Sequence, residues 1–119
     1  MIRRDPISRL ANRCTFYGLR RNEREHLAEA TFSLATTHAK RLVRLRRLRA
    51  CDVDACAVDA AAWCIKTGVH LYNATRASWA TFVRLAVVRE AAQIMTTNRR
   101  QEGIMRDMGY NYRMEDDQE

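Results

Sequence analysis

The feature that most constrains this chain is the spacing of its apolar side chains, which recur every three or four residues over three long segments. Such spacing places the apolar side chains on one face of a helix. Pro6 is the single proline, and runs of β-branched residues are missing. A chain of 119 residues has room for one core. We therefore expect an all-α fold: a compact bundle of three main helices with a basic N-terminal arm and an acidic C-terminal tail.

The helix bounds follow from the apolar stripes and from capping residues. The stripes predict helices over residues 23–49, 53–67 and 79–98. The predicted N-caps are Asn22, then Asp52 or Asp54, and then Ser78. Gly68 is predicted to end the second helix.

The domain organisation predicted from this pattern is simple. Residues 1–21 form a basic arm, in which Asp5 and Pro6 can open a short helix that Gly18 ends. Residues 22–103 form the helical domain, and residues 104–119 form an acidic tail.

The charge is strongly polarised along the chain. Residues 1–49 contain thirteen Lys or Arg and four acids, whereas residues 107–119 contain five acids and one Arg. The net charge of +7 predicts a polyanionic partner, either a nucleic acid or an acidic protein surface. Part of this charge, at the end of the first long helix, also suits the helix dipole.

The thiols and imidazoles do not predict a metal site. Spacings typical of a zinc ribbon are absent, and the three histidines are scattered; His38 falls on an apolar stripe, where a packed ring is the expected role. Cys56 and Cys64 lie in an alanine-rich helix and are expected to be core residues. No signal peptide or membrane-length apolar segment is present, so we expect a cytoplasmic protein with no membrane association, no metal and no cofactor.

The segment from Leu34 to Arg100 resembles domain two of bacterial RNA polymerase sigma factors. The clearest match is LYNATRASWATFVRLAVVREA, residues 71–91, in which Trp79, Thr81 and Phe82 match an aromatic-x-Thr-aromatic signature. Tyr72 and Asn73 stand where the family has Phe-Asp, and Ala77 stands at a usual Gly position. Upstream, HAKRLVRLRRLRACDVDACAVDAAAW resembles the family's first long helix, acidic turn and polymerase-binding helix.

This resemblance implies a transcription initiation factor that binds core RNA polymerase and the minus-ten region of promoter DNA. The second helix would face the clamp of the largest polymerase subunit, and the third would face the promoter. By position, the implied polymerase-binding residues are Asp59, Ala62, Trp63 and Lys66. The implied DNA-binding residues are Phe82, Arg84, Arg89, Gln93, Arg99 and Arg100. Trp79 is expected in the core, since rings at helical spacing usually are.

Three departures from the family weaken parts of this implied function. Leu85 and Ala86 stand where primary sigma factors often have paired tryptophans, and Ala92 replaces a polar residue. Sigma factors often have a Gln-Glu pair at the positions of Asp59 and Ala60, so half of that polar contact is lost here. Nothing resembles the helix-turn-helix domain that reads the minus-35 element, so a further protein subunit is an expected partner.

Two other functions remain open, and an enzyme is not expected. A decoy or regulator would occupy the polymerase clamp without opening DNA. A plain helical DNA-binding domain is the other alternative, since KTGVHLYNATRASW, residues 66–79, contains the TGV of some helix-turn-helix turns. No Ser/His/Asp set, HExxH motif, phosphate-binding loop or close carboxylate pair is present, so no catalytic residues are predicted.

Overall fold

The computed structural model describes residues 5–16 and 19–107, and these residues form helices and turns without a strand. The helices are α1 (Pro6–Phe16), α2 (Arg21–Arg44), α3 (Val53–Trp63), α4 (Val69–Leu71) and α5 (Trp79–Asp107). A 3₁₀ turn, Ala50–Asp52, precedes α3, and a π-helical turn, Cys64–Gly68, joins α3 to α4. The expected all-α bundle is confirmed.

Three helices, α2, α3 and α5, form the body of the bundle. Thr31 of α2 contacts Trp79 at the start of α5, and Leu42 lies beside Val88 and Ala91 further along, so these helices run parallel. Helix α3 is antiparallel to both, because Asp52 contacts Asn98 and Trp63 contacts Phe82. Small side chains from each helix fill the interface: Ala35, Ala39, Cys56, Ala57, Ala60, Val83 and Val87 are buried. This confirms the predicted core role of Cys56.

Helix α1 is capped as the sequence predicts. The Ser8 amide donates to the Asp5 carboxylate at 3.0 Å, with Pro6 at the first helical position. Ser8 and Ala11 are buried where α1 packs against α4 and α5. The predicted break at Gly18 lies outside the described residues.

Helix α2 differs from its prediction at both ends. Asn22 is not the N-cap, because the helix begins at Arg21 and the Glu23 carboxylate accepts from the Arg20 amide at 3.2 Å. The helix ends at Arg44 rather than Arg49. There the Arg46 amide donates to the Val43 carbonyl and the Arg47 amide to the Leu42 carbonyl, the hydrogen bonds of a Schellman motif.

Arg46 makes this turn with a φ of 59°, and it is the one non-glycine residue with positive φ in the described part of the chain. A side chain in this left-handed region costs about 1 kcal/mol relative to glycine. The turn redirects the chain so that Leu48 becomes buried. Burial of Leu48 explains why the apolar stripe extends beyond the end of the helix.

Gly68 does not end a helix. It has helical φ and ψ angles of −60° and −35°, and the chain continues through it into α4. A Cβ atom at this position would lie 2.8 Å from Phe82 Cε2 and 3.0 Å from Trp63 Cζ3. Glycine is therefore favoured here because two rings approach the backbone, and the prediction that Gly68 ends the helix was wrong.

The start of α5 matches its prediction, whereas its end does not. Ser78 is the N-cap, since its Oγ accepts from the Thr81 amide at 3.2 Å. The helix continues past residue 98 to Asp107, four residues into the predicted acidic tail. The rest of that tail, 108–119, lies outside the described residues, and the domain boundaries stay predictions. No helix in the described ranges is long and apolar enough to cross a membrane.

Candidate nucleic-acid and partner-binding face

Four aromatic rings cluster at the start of α5. The Trp79 ring stacks on Phe82 with centroids 5.2 Å apart, and the Tyr72 ring meets Trp79 edge-on at 5.0 Å. The Trp63 ring also stacks on Phe82, with centroids 5.9 Å apart. We call Trp63, Tyr72, Trp79 and Phe82 the ring cluster; it joins α3, the turn before α5, and α5 itself.

Trp79 is the most buried residue of the ring cluster and is held by two hydrogen bonds. It is 0% exposed, its indole Nε1 donates to Thr31 Oγ1 at 2.9 Å, and its amide donates to Ser8 Oγ at 2.8 Å. Thr31 in turn donates to the Leu27 carbonyl at 2.6 Å. The predicted core role of Trp79 is confirmed, since both of its polar hydrogens are satisfied inside the protein.

The two outer rings are only half-buried. Phe82 was predicted to face DNA and Trp63 to face polymerase, yet they stack on each other. Arg89, another predicted DNA contact, lies with its guanidinium carbon 4.1 Å from the centre of the Trp63 ring. This is a cation–π contact. The two predicted binding surfaces therefore meet at Trp63 and Arg89.

The exposed face of α5 has an apolar strip between two cationic edges. Leu85 is 57% exposed and Val88 is 41% exposed. Arg84 and Arg89, five residues apart, are separated by about 140° around the helix axis and flank that strip. Arg84 lies on the α2 side, near His38, whereas Arg89 lies on the α3 side, over Trp63. Gln93 is exposed one turn beyond Arg89.

The remaining predicted polymerase-binding residues lie on the outer side of α3 and the π-helical turn. Asp59 and Lys66 are exposed, Ala62 is half-buried, and the neighbouring Val58 is exposed. Asp59 makes no ion pair with a described residue. A small surface with one free carboxylate and one exposed apolar side chain is therefore available to a partner.

The opposite end of the bundle carries an open groove of about 360 Å³ between the end of α2 and the middle of α5. Arg46, Arg47 and Arg99 stand around it, and Leu42, Val88 and Met95 contribute apolar surface. Only Arg99 of these arginines was predicted as a binding residue. Arg46 and Arg47 were missed because they were assigned to the interior of a helix, although the concentration of arginine in this segment was visible in the sequence.

The arginines of the groove and of the α5 face have no ion-pair partner among the described residues. The ion pairs among the described residues are Arg13–Glu23, Arg21–Glu25 and Arg49–Asp52. Asp52 stands at the predicted cap position of α3 but makes no capping bond. Its carboxylate instead accepts from Arg49 at 3.0 Å and from Asn98 at 3.4 Å, and so it is not shared with the groove. Arg84, Arg89, Arg99 and Arg100 are exposed and unpaired with any described carboxylate.

His38 lies between α2 and α5 beside the cationic edge. Its Nε2 atom is buried without a hydrogen-bond partner among the described residues. Burial lowers the pKa of His38 below its usual 6.5, and the positive charges of Arg84 and Arg41 lower it further. The ring is therefore neutral at pH 7 and is part of the packing, as its place on the apolar stripe predicted.

The buried thiols are not activated for chemistry. Burial raises the pKa of both Cys56 and Cys64 to about 11. The Cys56 thiol donates to the Val87 carbonyl at 3.7 Å. Both thiols are protonated at neutral pH and are not nucleophilic.

Comparison of the chain with protein families, with curated proteins and with solved structures finds no match.

Proposed function

We propose that this protein is a sigma-like transcription initiation factor that binds core RNA polymerase and the minus-ten region of promoter DNA together with another protein. The observation that carries the proposal is the exposed face of α5. There an apolar strip, Leu85 and Val88, lies between Arg84 and Arg89, and neither arginine pairs with a described carboxylate.

Such a face suits a separated DNA strand. Proteins that hold unpaired strands combine cations for the phosphates with apolar or aromatic surface for the bases. Free guanidinium groups bind phosphate without first breaking an internal ion pair, and the release of counterions adds to the affinity. Phe82 and Trp63 add partly exposed ring edges at one end of this face. The proposal includes no catalytic step.

The polymerase contact in this proposal is the outer side of α3. Asp59 and Lys66 are exposed there. This surface is separate from the Arg84 edge of α5 but adjoins the Arg89 edge through Trp63. Substitutions of Arg84 and Asp59 therefore separate DNA binding from polymerase binding better than substitutions of Arg89 and Trp63.

A second function, a polymerase-binding regulator that does not open DNA, is favoured by one observation. One of the two tryptophans, Trp79, is 0% exposed, the other, Trp63, is covered by Arg89 and stacked on Phe82, and Ala86 is buried on the inner side of α5. Few ring faces are therefore free to receive an unstacked base. Transcription from a promoter with purified core enzyme separates the two functions, because a regulator of this kind gives polymerase binding without promoter opening.

The test uses the tagged full-length protein to capture purified bacterial core RNA polymerase, alongside binding of minus-ten promoter DNA by the captured complex. Asp59→Arg should abolish polymerase capture. Arg84→Glu should leave capture at the wild-type level and lower DNA binding at least about tenfold, since a phosphate contact is replaced by a repulsion. Arg89→Glu should weaken both, because Arg89 also covers Trp63.

Glu29→Arg is the control for Asp59→Arg, because Glu29 is an exposed residue of α2 and the charge change is the same. It should capture polymerase like the wild type. Absence of capture by the wild-type protein at about 0.1 M salt, where exposed charges still interact over about 10 Å, would contradict the sigma-like function.

A further inference from the structure

The turn at one edge of the groove between α2 and α5 contains Arg46, whose backbone conformation is unfavourable for a residue with a side chain. Arg46 holds a φ of 59° at the turn after α2, where glycine is the usual residue. An arginine therefore stands where a glycine would make a more stable turn. Backbone strain of this kind often accompanies a functional role for the side chain.

The side chain of Arg46 lines the groove together with Arg47 and Arg99. No described carboxylate pairs with any of the three, and the nearby Asp52 is already held by Arg49 and Asn98. Three uncompensated guanidinium groups around one concave site favour an anion with several acceptor oxygens. The hydroxyl-bearing Thr96 and the apolar Met95 also line the site.

The groove is continuous with the exposed face of α5. Val88 lines the groove and also belongs to the apolar strip between Arg84 and Arg89. Arg99 lines the groove about three turns further along the same helix. A strand that follows the α5 face therefore reaches the groove without leaving the protein surface.

We propose that this groove binds a backbone phosphate of a nucleic acid, with Arg46 and Arg47 as binding residues in addition to those on α5. The nature of the anion rests on the proposed function, whereas the binding site rests on the groove itself. The guanidinium groups hold the phosphate oxygens, and the apolar floor packs against sugar carbons. The positive φ at Arg46 lowers the stability of the free protein, and its charge favours the state with phosphate bound.

The key variant is Arg46→Gly, because it removes the cation and also relieves the positive φ. Binding of a fluorescein-labelled 20-nucleotide single strand and of a 20-base-pair duplex is measured by anisotropy at several salt concentrations. Arg46→Gly should weaken binding about tenfold and lower the salt slope by about one, as expected for one lost phosphate contact. Its melting temperature should rise, which excludes unfolding as the cause.

The matched control is Arg24→Ala, which removes one charge from an exposed position of α2 about 30 Å from the groove. Arg24→Ala should retain the affinity and the salt slope of the wild type. Equal oligonucleotide binding by Arg46→Gly and Arg24→Ala would overturn the proposal. Weaker polymerase capture by Arg46→Gly, with unchanged oligonucleotide binding, would assign the groove to a protein partner and would also overturn it.

These outcomes are distinct from failure of the sigma-like function. If the wild type captures no polymerase but its oligonucleotide binding depends on Arg46, the groove stands as a nucleic-acid site without the initiation role. If polymerase is captured and Arg46→Gly binds oligonucleotides normally, the groove assignment fails and the initiation role stands.

Discussion

At one end of the bundle the ring cluster closes over the start of α5, whereas at the other end three arginines stand around an open groove. The first end is held by packing and by the hydrogen bonds from Trp79 to Thr31 and Ser8. The second end has mutually repelling charges and a strained turn at Arg46. We therefore expect substitutions at the ring cluster to lower the free energy of unfolding more than substitutions at the groove end.

The largest expected effect comes from removing the centre of the ring cluster. Trp79→Ala should lower the free energy of unfolding by about 3–5 kcal/mol, because a fully buried indole and its hydrogen bond are lost. Denaturant titration measures this. Arg99→Ala, at the groove end, should change the same quantity by no more than about 0.5 kcal/mol.

If Trp79→Ala does not fold, Trp79→Phe keeps an aromatic ring and removes the Nε1 donor to Thr31. It should cost about 1–3 kcal/mol, because the buried Thr31 hydroxyl loses a partner. Equal losses for Trp79→Phe and Arg99→Ala would contradict the contrast between the two ends.

Replacing glycine by alanine at positions 68 and 103 should change the stability by a smaller amount, with opposite signs at the two positions. Gly68→Ala should destabilise the protein by a net amount of about 1–2 kcal/mol, because its Cβ would lie 2.8 Å from Phe82. Gly103→Ala, with nothing within 4 Å of the added Cβ, should stabilise α5 by about 0.5–1 kcal/mol. Thermal melts of the two variants measure both shifts, and stabilisation by Gly68→Ala would disprove the close ring contact.

The smallest expected effect concerns His38, which lies between the two ends. Its pKa is lower in the folded protein than the 6.5 of an unfolded chain. The unfolded state therefore binds more protons at acid pH, so stability is complete above about pH 6.5 and falls as the pH decreases below it. His38→Gln should reduce this dependence below about pH 6.5. An unchanged pH profile of unfolding would show that His38 is not the source.

Local features of the helices could be predicted from the sequence to a considerable extent. The capping of α1 by Asp5 and of α5 by Ser78 follows from short-range hydrogen bonding, which short motifs encode. The burial of Trp79 follows from its helical spacing. Gly68 was misassigned because its role depends on rings from two different elements, and such contacts are not visible in a local pattern.

The candidate site was less predictable. The position of α5 allowed Arg84 and Arg89 to be placed on its surface, but their location on opposite edges required the packing of α2 and α3 on either side. The turn at Arg46 was not predicted, because glycine is the residue that marks a positive φ in a sequence and arginine gives no such signal. The turn is stabilised by the burial of Leu48 and by hydrogen bonds to the carbonyls at the end of α2.

The hydrogen bond from the Trp79 amide to Ser8 Oγ has a consequence for the order in which the molecule assembles. The first turn of α5 receives an acceptor from a residue 71 positions earlier in the chain, so the start of this helix is completed by tertiary contact. During synthesis, α1 can form early, but its hydrogen bond to Trp79 cannot form until the start of α5 has left the ribosome. We expect the contact between α1 and α5 to form late in folding, with Ser8→Ala accelerating unfolding while leaving the folding rate nearly unchanged.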